Sequence, residues 1–482
     1  MSDFITVKFP SKIKLEEIKM KDYDYGGFSG YENFGKDIEK RGVVFPHVQI
    51  NNYIFQPAEI IKMTIDQNDI IPRLYLKIIM NSTADFLSNS FPKDGDIVSI
   101  FIRGRDNLFK PIRNDYLITS VNSNSSGATQ EGRFMTINIE GVLYIPHLYD
   151  CENFAIDGTS YEVMENIAKM LDLGFATNED YTNDNMKWIC AYDNKLTFIN
   201  NVCEHAWKDI DSFYTCFIDI YYNLNFVNVN MMIKDNGIVL DALAENTMSK
   251  NDYGESISKF LTKKCLTNHI FEDKSNFFIK SFRPINNSVT INKKYGYAFN
   301  VIFYDHDNRK KWMIQSTTLI TKNLSDDKTI LRGRDGNDDY NNQQLYKYLG
   351  IHYSDNMHTN YIYASVHNFI NNIELEKLYI EADLNKFNLN IYKYEPIPAL
   401  FFITGDLMRM KKMNKDIDIE DAGDLTSDNA NTIVIDRFYS GFYVVKGFSI
   451  EYNMPTTISN LSNFTEKLVL TRREWPKINN IN

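Results

Sequence analysis

The sequence predicts an α+β chain that is mainly β, with two antiparallel β-barrel-like domains flanking a small α/β module and an insertion in the second β domain. Three observations predict it. Short β-branched and aromatic runs, each bounded by Asp, Asn, Gly or Pro, recur over 46–148 and again from FFIKSF onward. Between the two series the hydrophobic period lengthens to that of a helix. A long polar stretch from Lys322 to about Asn371 then interrupts the second series.

Residues 1–43 are polar and contain DYDYGGFSGYENFG, which reads as an extended arm ordered by packing on something else. The first β domain, 44–150, holds HVQINNYIF, EIIKMTIDQ, RLYLKIIMN, GDIVSIFIRG, NDYLITSVNS and RFMTINIEGVLYI. Alternation is clear from Met135 to Glu140, and Ser125-Ser126-Gly127 separates the last two strands as a hairpin turn would. Strands at this spacing suit an antiparallel barrel or sandwich.

The α/β module, 151–235, opens on a capping box, with Thr159 as N-cap and Glu162 three residues on. Val163, Ile167, Met170 and Leu171 share one helical face, and Gly174 is expected to end the helix as its C′ residue. A second helix is expected from Thr197 to Trp207, followed by paired strands over 216–222 and 225–233.

Residues 236–270 are polar and charged and read as a linker. The second β domain, 271–482, resumes with FFIKSF, YAFNVIFYD and KKWMIQSTTLI. After the insertion at about 322–371 come EKLYIEADL, ALFFITGD, FYVVKGFSIEYN and EKLVLTRREW. Helices are expected within the insertion at NQQLYKYLG and SVHNFINNIEL.

Bulk chemistry narrows the function. The 482 residues suffice for two to four domains, and the formal net charge of −11 disfavours specific nucleic-acid binding, which needs Lys/Arg patches. The five cysteines (Cys151, Cys190, Cys203, Cys216, Cys265) form no CxxC pair, so they read as reduced thiols packed as small apolar residues. MSDFITVKFPSKIKLEEIKMKD carries early acids and no apolar core, which is unlike a signal peptide, and no run reaches a membrane-spanning length.

No catalytic, cofactor or metal residues are singled out. His352, His358 and His367 fit neither HExxH nor a zinc finger and read as exposed loop histidines. Asp305–Asn308 and Asp335–Asp339 lack the calcium-loop pattern and read as turns. GxSxG, GxxxxGK[ST] and GxGxxG are all missing. Trp188, Trp207, Trp312 and Trp475 could stack on sugars but sit beside apolar residues, as core side chains do. No cofactor is expected.

Three stretches together resemble a known family: SYEVMENIAKMLDLGFATN with DSFYTCFIDIYYNLNFVNVN, then DLNKFNLNIYKYEPIPALFF, then SGFYVVKGFSIEYN with FTEKLVLTRREWP. They are similar to the baseplate hub protein of contractile-tailed phages of the T-even type. That family is related to the late-control D proteins and to the N-terminal part of type VI secretion spikes. The resemblance covers roughly 160–480, with gaps, and its motifs are not catalytic.

The resemblance implies two tube-like β-barrel domains per subunit and a homotrimeric, pseudo-hexameric ring between the tail tube and the central spike, with a lumen for DNA. Implied partners are the tail tube or tube-initiator protein, the central spike protein and the baseplate wedge proteins, with the tape-measure protein as a further one. The implied location is the virion tail baseplate, assembled in the host cytoplasm, with no membrane partner. Asp219, Asn228 and Asn230 are family-like positions expected to make turn and strand-end hydrogen bonds. The insertion and the acidic loop 407–432 exceed a minimal hub and would face peripheral baseplate proteins. Two other readings are another tail-associated or carbohydrate-binding β protein, and a cell-wall glycan hydrolase.

Overall fold

The first series of elements in the structure, a computed structural model, runs β1 (Thr6–Phe9), β2 (His47–Ile50), β3 (Tyr53–Phe55), β4 (Ile60–Asp66), β5 (Arg73–Asn81), α1 (Ala84–Asn89), β6 (Ile97–Ile102), β7 (Ile112–Ser125) and β8 (Phe134–Leu143). The central series is β9 (Cys151–Gly158), α2 (Ser160–Met170), β10 (Gly174–Thr177), β11 (Met186–Asn194), α3 (Lys195–Glu204), β12 (Tyr214–Ile218) and β13 (Asn223–Asn228). The last series begins β14 (Leu266–Thr267), β15 (Ile279–Asn286), β16 (Phe299–Asp305), β17 (Lys310–Ser316) and β18 (Leu345–Lys347). It ends α4 (Tyr361–Leu375), β19 (Leu378–Leu384), β20 (Pro396–Leu400), β21 (Phe402–Asp406), β22 (Asn431–Ile435), β23 (Gly441–Asn453) and β24 (Phe464–Arg472).

The described residues are 5–15, 46–51, 53–81, 84–102, 111–125, 134–233, 265–268, 278–286, 299–305, 310–316, 345–347, 357–358, 360–375, 378–384, 391–406, 431–436, 439–454 and 464–472. The loop 407–430, His352, Trp475 and the turn 335–339 lie outside them.

Period-two alternation builds the large sheet. β6 buries every second side chain, β19 does the same, and β8 keeps the pattern over most of its length. One face therefore supplies a continuous core, with Ile65, Leu74, Ile100, Ile137, Ile380, Ile450 and Leu468 essentially inaccessible. Each such side chain contributes about 1.5–3 kcal/mol by leaving water.

Mainly β architecture is what the sequence predicts. The two β regions, however, share one 13-stranded sheet, whose main path is β15-β19-β24-β23-β4-β5-β8-β7-β6-β2-β3. The join is the antiparallel pairing of β23 with β4, which sets Ser449 opposite Asp66, Ile450 opposite Ile65 and Tyr452 opposite Met63. Glu451 of β23 is flanked by Lys62 of β4 at 3.8 Å across this seam and by Lys467 of β24 at 3.0 Å on the other side.

A smaller four-stranded sheet, ordered β1-β10-β13-β12, carries the α/β module. β1 lies within the range read as an arm, and pairs Val7 with Ala176. Helix α2 is capped as expected: Thr159 and Glu162 satisfy one another's backbone groups reciprocally. Its other end corrects the reading of Gly174. The C′ residue is Asp172, at φ 54°, and Leu173 N donates to Ala168 O at 2.9 Å in a Schellman motif. Gly174 instead starts β10, where a Cβ would collide with the Asn223 side chain and the Ser11 backbone.

Helix α3 starts at Lys195 with Asn194 as N-cap and ends at Glu204, so it is displaced from the expected Thr197–Trp207 range. β14 lies inside the range read as linker and pairs with β20. Leu345–Lys347, expected to be helical, is a strand parallel to β16. Helix α4 forms where SVHNFINNIEL predicts one, and extends back to Tyr361.

Candidate functional site

The α/β module meets the large sheet through the tight turn between β12 and β13. Asp219 organises that turn: its carboxylate accepts from Tyr221 N at 2.8 Å and Asn223 N at 2.9 Å, and from the side-chain amides of Asn223 and Asn225. Burial pushes the Asp219 carboxyl up, while these amide donors pull it back down. The turn also needs Tyr222 at φ 60°.

Side chains from the first β region receive the turn. Gln67 Nε2 donates to Ile218 O at 2.9 Å, Asn114 Nδ2 donates to Ile220 O at 2.8 Å, and Ile218 N donates to Ile70 O at 2.7 Å. Asp115 N donates to the Tyr222 hydroxyl at 2.9 Å. Gln67 and Asn114 are wholly buried, and both serve as fixed donors to backbone carbonyls.

Lys393 adds the second β region to the junction. Its Nζ donates to Asn68 O and Asp69 O at 2.8 Å each, in the turn between β4 and β5. The ammonium also lies 5.1 Å from the Phe217 ring centre and 5.9 Å from that of Tyr394. Burial lowers its pKa to about 7; Lys446 acts in the same direction, and Asp69 and Asp66 oppose it.

A cavity of about 400 Å³ lies where the three parts meet. Val7, Ala176, Asn225 and Phe217 border it and form one cross-strand row of the small sheet, because each is register-paired with the next. Phe448 and Ile450 of β23 and Glu466 of β24 border it from the large sheet. Gln67, Asp219, Lys393 and Glu395 add polar groups to a mainly apolar lining.

A second polar cluster fixes α4 on the module. The Asn368 side chain accepts from Tyr214 N at 3.1 Å and donates to Glu204 O and Ala206 O at 3.0 Å, around the end of α3. His367 Nε2 lies 2.9 Å from Ser212 O and His358 Nε2 lies 3.1 Å from His205 O. Both histidines are buried, which corrects their reading as exposed loop residues: His367 is on the docked helix, and His358 precedes it and is held at the end of α3. Nearby, Glu179 accepts from Lys208 Nζ at 2.6 Å and Asn228 Nδ2 at 2.6 Å.

Asp219, Asn228 and Asn230 therefore make the turn and strand-end bonds the sequence suggests, with Asn230 N donating to Asn228 Oδ1 at 3.2 Å. Trp188 is core, donating from Nε1 to Gly158 O at 3.0 Å, and Trp207 packs edge-on against His367. Cys190, Cys203, Cys216 and Cys265 are buried free thiols, and Cys151 is exposed. Among the described residues no group of three or more His, Cys, Asp or Glu could hold a metal ion. Among them, too, no helix is long and apolar enough to cross a membrane. Sequence reasoning missed Gln67, Lys393 and Asn368. The one signal for Lys393 is its position amid aromatic neighbours in IYKYEPIPALFF.

No family model matches the chain, and no curated protein matches it. Among solved structures, the 43 kDa tail protein of prophage MuSo2 from Shewanella oneidensis is similar at 10% identity, over 89% of this chain and 98% of that one, with a TM-score of 0.46. A tail protein from Neisseria meningitidis is similar at 10% identity, over 89% and 97%, with a TM-score of 0.42. A type VI secretion component from E. coli, described as structurally similar to T4 bacteriophage tail proteins, is similar at 7% identity over 89% and 78%, with a TM-score of 0.40.

Proposed function

We propose that this chain is a structural subunit of a phage tail, the baseplate hub, three copies of which form a pseudo-hexameric ring between tail tube and central spike. The observation that carries the reading is the seam between β23 and β4, which builds both β regions into one sheet. A subunit with two rigidly coupled β regions presents six similar units from three chains, and so matches a six-fold tube to a three-fold spike without changing its interfaces. The three stretches resembling hub proteins support the same reading, and they supply Asp219, Lys393 and the seam strand itself in turn.

In this proposal the tube-like domains span 44–150 and 271–482, with the α/β module at 151–235 between them. The lumen passes DNA, and the net charge of −11 suits a wall that must not hold phosphates. The partners are a homotrimer of this chain, the tube or tube-initiator protein, the spike, the wedge proteins and the tape-measure protein. The product is shape, in the virion baseplate, and no reaction is assigned.

The experiment is co-expression with the tube and spike genes of the same genome, followed by electron microscopy of the purified complex. Three copies around a central hole, with the two β regions of each alternating about the axis, are expected. A chain that stays monomeric with both partners present, or whose β regions cannot surround a common axis, overturns the proposal.

A further inference from the structure

Three histidines gather where α4 docks on the α/β module, and each has one ring nitrogen facing a backbone carbonyl. His358 Nε2 lies 3.1 Å from His205 O, His367 Nε2 2.9 Å from Ser212 O, and His205 Nδ1 2.9 Å from Asn201 O. A carbonyl only accepts, so each of these nitrogens carries a hydrogen and donates. On His367 the other nitrogen is also engaged, since Nδ1 accepts from Asn371 Nδ2 at 3.3 Å.

His358 differs at its second nitrogen. Its Nδ1 is buried and has no hydrogen-bond partner among the described residues. In the neutral ring that leaves one acceptor unfilled. A proton added there would create a buried charge with neither water nor an acceptor to receive it.

The groups facing this ring do not solve the problem. Asp184 attracts the charged form, but its two oxygens already accept from Ser160 N at 2.9 Å and Trp207 N at 2.7 Å. Tyr361 meets the ring edge-on with centroids 5.6 Å apart, and Trp188 lies at 6.1 Å. His205, stacked on Tyr361 at 3.8 Å, and Glu204, whose charge acts on Tyr361, are the remaining titratable neighbours. Burial outweighs Asp184 and the His205 carbonyl, and holds the His358 imidazole below its ordinary pKa of 6.5.

The element that would move is also defined. Tyr361 N donates to His358 O at 3.1 Å, which ties His358 to the first turn of α4. At the far end of the helix Leu375 packs among Phe213, Phe217, Val229 and Val444, and β19 follows at Leu378. Polar and ring contacts dominate at the start of α4, and an apolar cluster holds its end.

We propose that His358 makes the start of α4 an acid-released latch: a proton taken up at Nδ1 is accommodated only when His358 and the first two turns of α4 leave the module, while Leu375 keeps the helix tethered. The open form binds the proton more readily than the docked form, so opening is favoured as pH falls below 6.5 and is little changed above it. One proton per opening raises the opening equilibrium by at most about tenfold per pH unit. Opening uncovers the carbonyls of Cys203, Glu204 and Ala206, which Asn368 now meets. The latch does not depend on the hub reading, since a ring could assemble with α4 docked or open.

The test is hydrogen exchange read by mass spectrometry on the full chain at pH 7, 6 and 5.5, with each rate divided by the intrinsic rate at that pH. Amides from Tyr361 to Asn368 should lose protection by about four- to eightfold between pH 7 and 5.5. Protection along β5 and β8 should stay constant, and return to pH 7 should restore α4. His358→Gln keeps a donor for His205 O and does not titrate, so it should show no such loss. His358→Phe, which keeps a ring against Tyr361 and Trp188, is read the same way.

Protection of α4 that is constant across this range, or lost in step with β5 and β8, overturns the proposal. So does an equal loss in a His358 variant that is docked at pH 7. Should neither variant dock at pH 7, the wild-type chain decides: a loss below twofold or an irreversible one overturns the latch, and a local, reversible loss of the expected size upholds it. Ring assembly in the electron-microscopy experiment is read separately, so either proposal can fail alone.

Discussion

Ser449 stands directly opposite Asp66 in an antiparallel pair, so a strand from the last part of the chain completes the sheet begun by the first. Beside that pair, Gln67 N donates to Phe448 O at 2.9 Å, which carries the pairing to the edge of the junction turn. The two β regions are thereby held in one relative orientation by main-chain bonds rather than by side-chain packing alone.

The seam has a steric requirement at Gly447. β23 shifts register between Val445 and Gly447, and a Cβ there would press on the Asn68 side chain and backbone. Gly447→Ala should cost about 1–3 kcal/mol, as overpacking does. Urea unfolding measures it; an unchanged midpoint would mean that the turn at Asn68 yields freely.

Asp219→Ala removes the acceptor for two backbone amides and two side-chain amides of the junction turn. A loss of about 2–4 kcal/mol is expected, since several buried donors are stranded at once. Asp219→Asn should cost less, because it keeps one acceptor oxygen. Equal losses for the two would show that charge rather than hydrogen bonding holds the turn.

Asn368→Leu tests the docking of α4. The replacement keeps the volume but leaves Tyr214 N and the carbonyls of Glu204 and Ala206 without the side chain that now meets them. About 2–3 kcal/mol should be lost. Faster hydrogen exchange of the Tyr214 amide and along α4, with the large sheet unchanged, is the expected pattern.

Lys393 makes stability depend on alkaline pH. Its folded pKa of about 7 lies below its ordinary value of 10.5, so the unfolded chain binds more protons between those limits. Stability should therefore rise with pH across that window, by up to about 1.4 kcal/mol per pH unit, and this term is absent below pH 7. Measuring the urea midpoint from pH 7 to 8 reads it largely before unfolded thiols and phenols titrate. Lys393→Met should flatten the slope, and an equal slope in the variant would refute the assignment.

His47 works on the acid side. Burial lowers its pKa from 6.5 to about 4, so the unfolded chain takes up protons first as pH falls through that range. Stability should drop from pH 6.5 toward 4, by roughly 1.4 kcal/mol per pH unit at most, with no contribution above 6.5. His47→Phe, which retains a ring against Phe101, should reduce this acid sensitivity. Chemical unfolding at pH 7 and pH 5 makes the comparison.

Much of the secondary structure was legible because it follows from local rules. Strands β6, β8 and β19 show their buried face as simple alternation, and α2 shows its start as a capping box. Helix α4 was legible as a helix, but not as a docked one. Its burial includes Ser365, Asn368 and Asn371, which hydrogen bonding rather than hydrophobicity holds in place, so apolar periodicity understates it. The end of α2 was misread because Gly174 attracts a C′ assignment, while Asp172 tolerates the left-handed conformation two residues earlier. The seam leaves no local trace, and Lys393 leaves only its aromatic neighbours. Their partners are hundreds of residues away, and a lysine bonded to two remote carbonyls looks in sequence like any solvated one.

Because β4 waits for β23, its outer edge stays unpaired while the ribosome makes nearly all of the intervening chain. At bacterial synthesis rates that interval is on the order of tens of seconds, long enough for an open apolar strand to find another nascent copy. Expression should therefore favour slow, cool induction and chaperone supply, and a fragment stopping short of β23 would be a poor surrogate for the whole. The last strand series to be made decides whether the first one is safe.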